Sequence, residues 1–256
     1  MCLITFGYKV HPQFELIVLA NRDEFTNRGF LQAHHWGSRQ KVISGIDLTA
    51  KGGWTGITES GRIAIVTNYR NGLKNDSELS SRGGLVTNFL DSDISAKEYL
   101  GVLRRSKDYY NGYNIIFGCA DSLYWYSNIN DKYILLQPGF YGLSNHLLDT
   151  EWPKLKQVKS KLKAHIESDQ ICPNELQAIM LDNHQFDESQ LPDTGIDLEL
   201  EKGLSPVFVD LGSYGTILTT IIYLRKDFKQ LLEFSHLDEN SDISPCYSST
   251  MFTVES

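Results

Sequence analysis

The stretch Glu15-Leu16-Ile17-Val18-Leu19-Ala20-Asn21-Arg22-Asp23-Glu24 decides the fold: an apolar run with β-branched residues ends abruptly in consecutive polar side chains. Such a run reads as a strand that leaves a core at its polar end. Upstream, Cys2 to Tyr8 reads as another strand, and the intervening Val10-His11-Pro12-Gln13 is a turn. Pairing the two as an antiparallel hairpin brings Asn21-Arg22-Asp23-Glu24 close to Cys2.

Working outward, short strands are expected at Lys41 to Ser44, Gly53 to Thr58 and, across the Glu59-Ser60-Gly61 turn, Arg62 to Asn68. Apolar residues at helical spacing place helices over Arg82 to Asp91 and Ser95 to Arg105, the second opened by a Ser95/Glu98 capping box. Strands return at Tyr113 to Cys119, Leu123 to Ser127, Tyr133 to Gln137 and Gly142 to Ser144. Helices follow at Glu151 to Glu167 and Pro173 to Asp182, and strands close the chain at Tyr214 to Leu224, Gln230 to Ser235 and Tyr247 to Val254. Blocks of strands separated by blocks of helices, without a glycine-rich phosphate loop, argue against a doubly wound parallel sheet. The expected class is α+β: an αββα four-layer sandwich, two mainly antiparallel sheets between helical layers. Neither repeats nor a linker divide residues 1–256, so a single domain is expected.

A net charge of −8 makes a nucleic-acid-coating surface a poor expectation, and 41% hydrophobic residues exclude a disordered chain. The cysteines, Cys2, Cys119, Cys172 and Cys246, lack the spacing of a zinc site or a disulfide framework. No stretch is apolar for long enough to cross a membrane as a helix, and the beginning of the chain resembles neither a signal nor a transit peptide. The expectation is a soluble protein of the cytoplasm.

The chemistry centres on Cys2. Removal of Met1 would leave a cysteine whose own α-amine, titrating near neutral pH, can take the thiol proton, so that nucleophile and base share one residue. Two more apolar strands end like the first, Ile63-Ala64-Ile65-Val66-Thr67 in Asn68 and Tyr141-Gly142-Leu143-Ser144 in Asn145. Asparagine amides at such ends can donate to a developing oxyanion, and can equally serve as turn residues. Ser80-Ser81-Arg82-Gly83-Gly84 reads as an ordinary helix start that could also touch a phosphate, although the Walker spacing and lysine are missing. Trp36, Trp54 and Tyr69 are candidates for the core or for the rim of an apolar cleft.

In order along the chain stand Met1-Cys2-Leu3-Ile4, Ala20-Asn21-Arg22-Asp23-Glu24-Phe25, Trp36-Gly37, Gly53-Trp54-Thr55-Gly56-Ile57, Thr67-Asn68-Tyr69, Ser81-Arg82-Gly83, Tyr110-Asn111-Gly112-Tyr113-Asn114, Tyr141-Gly142-Leu143-Ser144-Asn145, Trp152-Pro153-Lys154 and Tyr214-Gly215-Thr216. Together they resemble the NRDE family, also called the transport and Golgi organisation protein 2 family, in its bacterial form, over nearly the whole chain. The resemblance implies an N-terminal nucleophile hydrolase fold, similar to the cysteine hydrolases of the choloylglycine hydrolase and penicillin V acylase group. It implies Cys2 as nucleophile, Arg22 beside the thiolate, Asp23 or Glu24 as the acid that orients the amine, and Asn68 and Asn145 as oxyanion and acyl-holding residues. Asn21, Glu24, Trp54, Tyr69, Arg82 and His146 are the accompanying binding candidates. Where many members read Tyr-Gly-Thr-Arg, this chain has Ile217, so that a second cation is missing there.

The resemblance carries two functional expectations. One is hydrolysis of a linear amide or thioester, which requires no cofactor. The other is a carrier of haem, of acyl-coenzyme A or of lipid. Candidate axial ligands for haem are Cys2, His34, His35, His146 and Cys172, of which His34-His35 reads as a loop pair and Cys172 as a residue entering a helix.

Overall fold

The computed structural model describes residues 2–36, 41–72, 75–237 and 249–255, with the backbone alone described at Cys2 and 249–255. Strands β1 (Cys2–Tyr8), β2 (Leu16–Phe25), β10 (Gly139–Leu143), β11 (Tyr214–Leu224), β12 (Phe228–Ser235) and β13 (Ser249–Glu255) form one sheet in the order β10-β1-β2-β11-β12-β13. The second sheet takes the chain order of its strands: β3 (Phe30–Trp36), β4 (Val42–Asp47), β5 (Thr55–Thr58), β6 (Ile63–Asn68), β7 (Tyr113–Cys119), β8 (Ser122–Ser127) and β9 (Lys132–Leu135). Every pairing in both sheets is antiparallel.

The alternation of β2 explains the layers. Leu16, Val18 and Ala20 join Ile4, Phe6, Ile65, Ile116 and Trp125 in a core between the sheets. Ile17 and Leu19 face the other way, onto α3 (Pro153–Glu167) and α4 (Pro173–Ile179), through Leu155, Val158, Leu162 and Leu176. On the far side of the second sheet, α1 (Gly83–Leu90) and α2 (Ala96–Arg105) bury Leu85, Phe89, Tyr99 and Leu103 against Ile115 and Phe117. A strand covered on both faces must be apolar continuously, which is why Leu16 to Ala20 lacks the alternation of a half-exposed strand. The αββα sandwich is the observed architecture, and the Ser95/Glu98 capping box forms as expected.

Three local expectations need correction. The polar box does not end the first long strand: β2 runs on through Asn21, Arg22, Asp23 and Glu24 to Phe25, because β11 supplies ladder partners that far, Asp23 opposite Thr216 and Phe25 opposite Tyr214. His34 and His35 lie on β3, which is paired to β4, and do not form a loop. A short helix, α5 (Leu198–Gly203), occupies a region for which no element was expected; Asp197 caps it by accepting from the Leu200 N–H.

An ionisable group also ties the two sheets together. Glu233 of β12 is fully buried and accepts the Ala33 N–H of β3 at 2.6 Å, joining the two sheets through a side chain. Its other oxygen, Oε1, has no hydrogen-bond partner among the described residues. Burial pushes its carboxyl up to about 7, against that backbone bond, the charge of Arg22 and the Thr220 hydroxyl. The folded chain therefore holds a proton that the unfolded chain releases near pH 4.5, so this group costs stability as pH rises between about 4.5 and 7. Glu233→Gln is expected to match the wild type in urea unfolding near pH 4.5 and to exceed it by about 1–3 kcal/mol at pH 7.5.

Candidate active site

In the ladder between β1 and β2, Cys2 stands directly opposite Arg22. The Cys2 thiol, and the amine that loss of Met1 would free, lie outside the described residues. The surroundings of Arg22 are well defined. Arg22 is 6% exposed, donates from Nη2 to Asp47 Oδ2 at 2.8 Å and lies over the indole of Trp54, 4.4 Å from the ring centroid. Asp47 also accepts from Arg28 Nε at 2.7 Å and from the backbone N–H groups of Thr49 and Ala50. Burial alone would raise the Asp47 carboxyl; the bonds from Arg28 and Ala50 and the charges of Arg28 and Arg22 outweigh it and hold the group below its ordinary range. Glu24 completes the group at 3.9 Å from Arg22 and 3.7 Å from Arg28.

Asn21 and Asp23 project from the opposite face of β2. Asn21, 1% exposed, donates to the carbonyls of Met180 and Val207 and accepts from the Thr219 hydroxyl. It is therefore a clamp between the sheet and the chain that follows α4, and it does not line the cleft. Thr219, having donated to Asn21, accepts from Nε2 of His236, whose pKa burial lowers to about 4. Asp23 accepts from the Thr216 hydroxyl at 2.7 Å; burial raises its carboxyl, while Lys154, the Thr216 bond and Arg70 pull it down.

Asn68 closes β6, and Asn145 follows β10. Asn145 is buried and donates from Nδ2 to the Asn68 carbonyl at 3.1 Å, while its own carbonyl accepts the Arg70 N–H. Asn68 lines both of two adjoining chambers. One, of about 320 Å³, is polar and is bordered by Arg22, Asp23, Glu24, Asp47, Trp54 and Arg82. Its neighbour, of about 360 Å³, is walled by Phe25, Ile196, Leu200, Leu204, Leu211 and Tyr214, with Tyr69, Arg70 and Asn145 also at its edge. Phe25, Asn68, Asn75 and Arg82 border both, so the two chambers form one cleft.

His146 does not reach this cleft. Its ring packs against Tyr69 and Trp152 and bonds to Thr150 Oγ1, and burial lowers its pKa. His34 bonds to the Gln32 carbonyl, and Cys172 is the N-cap of α4 beside a different groove. Among the described residues no group of His, Cys, Asp and Glu is arranged to hold a metal ion.

Several charged residues were not legible as site components. Arg70, two residues beyond Asn68, pairs at 2.9 Å with Glu201, which also accepts from the N–H and hydroxyl of Thr194. Lys154 is 4% exposed and donates to the Leu204 carbonyl at 2.7 Å. At position 217 the chain bulges between Thr216 and Leu218, and Ile217 packs against Trp54. The side-chain charges that act on Asp23 are those of Lys154 and Arg70.

The layers and the strand-borne cleft define a protein of N-terminal nucleophile hydrolase fold. Solved structures share it: the Caenorhabditis elegans ortholog of N-acylethanolamine-hydrolyzing acid amidase is 12% identical with a TM-score of 0.54, over 86% of this chain and 92% of that one. A mutant of the conjugated bile acid hydrolase from Clostridium perfringens is 9% identical with a TM-score of 0.50, over 98% and 96%. The sequence matches the Transport and Golgi organisation 2 family over residues 1–234, and the chain belongs to that family. The human transport and Golgi organization protein 2 homolog is 36% identical over 248 residues, 89% of this chain and 90% of the human one.

Burial lowers the Lys154 ammonium to about 8, with the charges of Asp23 and Glu201 opposing and that of Arg70 assisting. Between about pH 8 and 10.5 the unfolded chain binds a proton that the folded chain has released, so stability rises with pH across that window. Relative to Lys154→Met, the wild type is expected to gain about 1–3 kcal/mol in urea unfolding between pH 7.5 and pH 10.

Proposed function

We propose that the chain, once Met1 is removed, is an N-terminal cysteine hydrolase of a linear amide or thioester with an apolar acyl part. The observation that carries this reading is the ladder register that sets Cys2 opposite Arg22, at the end of the sandwich where the cleft opens. In the proposed reaction the free α-amine takes the thiol proton and the sulfur attacks the carbonyl carbon. The proton then passes to the departing amine or thiol, leaving a thioester on Cys2. Water, deprotonated by the same amine, hydrolyses that thioester and restores the thiol.

The hydrogen bonds divide the two asparagines. Asn145 already spends a donor on the Asn68 carbonyl, whereas the Asn68 amide makes no hydrogen bond to any described residue and borders both chambers. Asn68 is accordingly assigned as the oxyanion donor and Asn145 as the residue that positions it. The acyl part would occupy the apolar chamber. A free thiol also fits a reducing compartment, which makes the cytoplasm the proposed location. No helix among the described residues is long and apolar enough to cross a membrane.

The apolar chamber also favours a second reading, a non-catalytic carrier of an acyl or lipid ligand. Haem fits less well, because His34, His146 and Cys172 border neither chamber.

The test combines an intact mass of the purified protein with release of aminocoumarin from acyl amides of increasing chain length. Loss of Met1 and turnover are expected. Cys2→Ala should lower kcat/KM by about a thousandfold or more. Asn68→Ala should lower kcat by about a hundredfold to a thousandfold with little change in KM. Retention of Met1 on every molecule, or turnover that survives in Cys2→Ala, overturns the hydrolase; binding of the acyl chain without turnover moves the assignment to the carrier.

A further inference from the structure

Asn68 and Asn145 come to the cleft from different sheets. Asn68 ends β6 of the second sheet, and Asn145 follows β10 of the first. Their relative placement therefore depends on what ties the segment after β10 to the second sheet. Three successive carbonyls of that segment are held from there: Ser144 by the Thr67 hydroxyl at 3.2 Å, Asn145 by the Arg70 N–H at 2.8 Å and His146 by Asn114 Nδ2 at 2.9 Å.

Asn114 takes part in two of these three ties. It stands on β7 opposite Thr67, beyond Ile65 and Ile116 on the face toward the other sheet, where the apolar core gives way to the cleft. Besides the His146 carbonyl, its Nδ2 reaches Thr67 Oγ1 at 3.4 Å, so that Thr67 accepts from Asn114 and donates to Ser144. Linked bonds of this kind fix the direction of each member and strengthen one another. Asn114, Thr67, Ser144 and Asn145 are all buried, which keeps water from competing for these partners. Asn114 itself borders neither chamber, so any effect it has on a ligand passes through its neighbours.

The amide of Asn114 has one useful orientation, because the reverse would set its oxygen against the His146 carbonyl. In that orientation Oδ1 is buried without a hydrogen-bond partner among the described residues, a cost that a leucine of the same size would avoid. What the asparagine supplies in return is position. It grips the residue before Asn68 and the residue after Asn145, on either side of the bond from Asn145 Nδ2 to the Asn68 carbonyl. Displacing a reacting group by about 1 Å can cost a hundredfold in rate, so a brace of this kind matters to chemistry more than to folding.

We propose that Asn114 is a positioning residue of the cleft: it holds the segment after β10 so that Asn145 keeps its bond to Asn68, and through that bond it fixes the Asn68 amide where an oxyanion forms. The proposal rests on the reading of Asn68 as the oxyanion donor, whereas the brace itself can be measured without turnover.

The test uses Asn114→Leu, with Asn114→Ala in its place if the first does not fold, and has two arms. In the first, hydrogen exchange of the assigned Asn145 side-chain amide is followed by NMR in 15N-labelled protein. Exchange is expected to quicken about tenfold or more in the variant, while the backbone amides of Ile115 and Ile116 keep their protection. In the second, turnover of the acyl aminocoumarin amides is expected to lose about tenfold to a hundredfold in kcat with KM within about twofold of the wild type. Because Asn114 acts through Asn68, the double variant with Asn68→Ala should be no slower than Asn68→Ala alone, within about threefold. Unchanged exchange at Asn145, an equal loss of protection at Ile115 and Ile116, an unchanged kcat, or a double variant slowed by the product of the single effects overturns the proposal. A wild type that turns over no amide removes the hydrolase reading instead, and the exchange arm then decides the brace alone.

Discussion

The contact between Arg22 and Asp47 is the constraint on which the rest of the site depends. Arg22 belongs to β2, near the middle of one sheet, and Asp47 ends β4 of the other, so their 2.8 Å bond crosses the sandwich at the end where its apolar core stops. A nearly buried guanidinium is tolerable only with a partner, and Asp47 is itself made a reliable partner by Arg28 and by the N–H groups of Thr49 and Ala50. With Asp47 holding it, the Arg22 guanidinium sits over the ring of Trp54. The same bond satisfies only part of the guanidinium, whose Nη1 is buried without a hydrogen-bond partner among the described residues.

The second consequence concerns the two faces of β2. Because the strand continues through the polar box, alternate residues serve different layers: Arg22 and Glu24 the cleft, Asn21 and Asp23 the helical side. Asn21 holds the carbonyls of Met180 and Val207, and Lys154 holds that of Leu204, whose side chain walls the apolar chamber. Glu201, one turn of α5 away, is paired to Arg70 on the cleft's other edge. The wall of the apolar chamber is thus anchored by buried polar bonds rather than by the main core. Removing one partner from such an anchor leaves a buried polar group unsatisfied.

How much of this was legible in the sequence follows from the range of the interactions. Strand runs such as Leu16 to Ala20 and the Ser95/Glu98 box declare themselves locally, and the four layers follow from their order. The hairpin argument also suffices to bring Arg22 to Cys2, since it needs only a turn and a register. What was missed depends on distant partners. The continuation of β2 to Phe25 requires β11, almost two hundred residues later. The split between Asn68 and Asn145 depends on a hydrogen bond between the segment after β10 and the end of β6. Asp47 carries no local sign of its role, and nothing around Glu201 points to Arg70, 131 residues away in the chain.

Position 217 shows how a motif can lose a charge while its surroundings keep a coherent electrostatic plan. A cation there would have to share the space in which Ile217 now packs with Trp54. The bulge between Thr216 and Leu218 keeps the Thr216 hydroxyl on Asp23 while fitting the extra residue into the ladder. The side chains that bring positive charge to Asp23 are Lys154 and Arg70, each buried and each balanced in part by Glu201. Lys154 is easily neutralised where it lies and Arg70 is not, so of these two side-chain charges the one that persists once the pH passes about 8 is that of Arg70. The cleft therefore has two cationic supports of different kind: a fixed pair, Arg22 and Arg28, on the face toward the second sheet, and a partly titratable pair behind the strand.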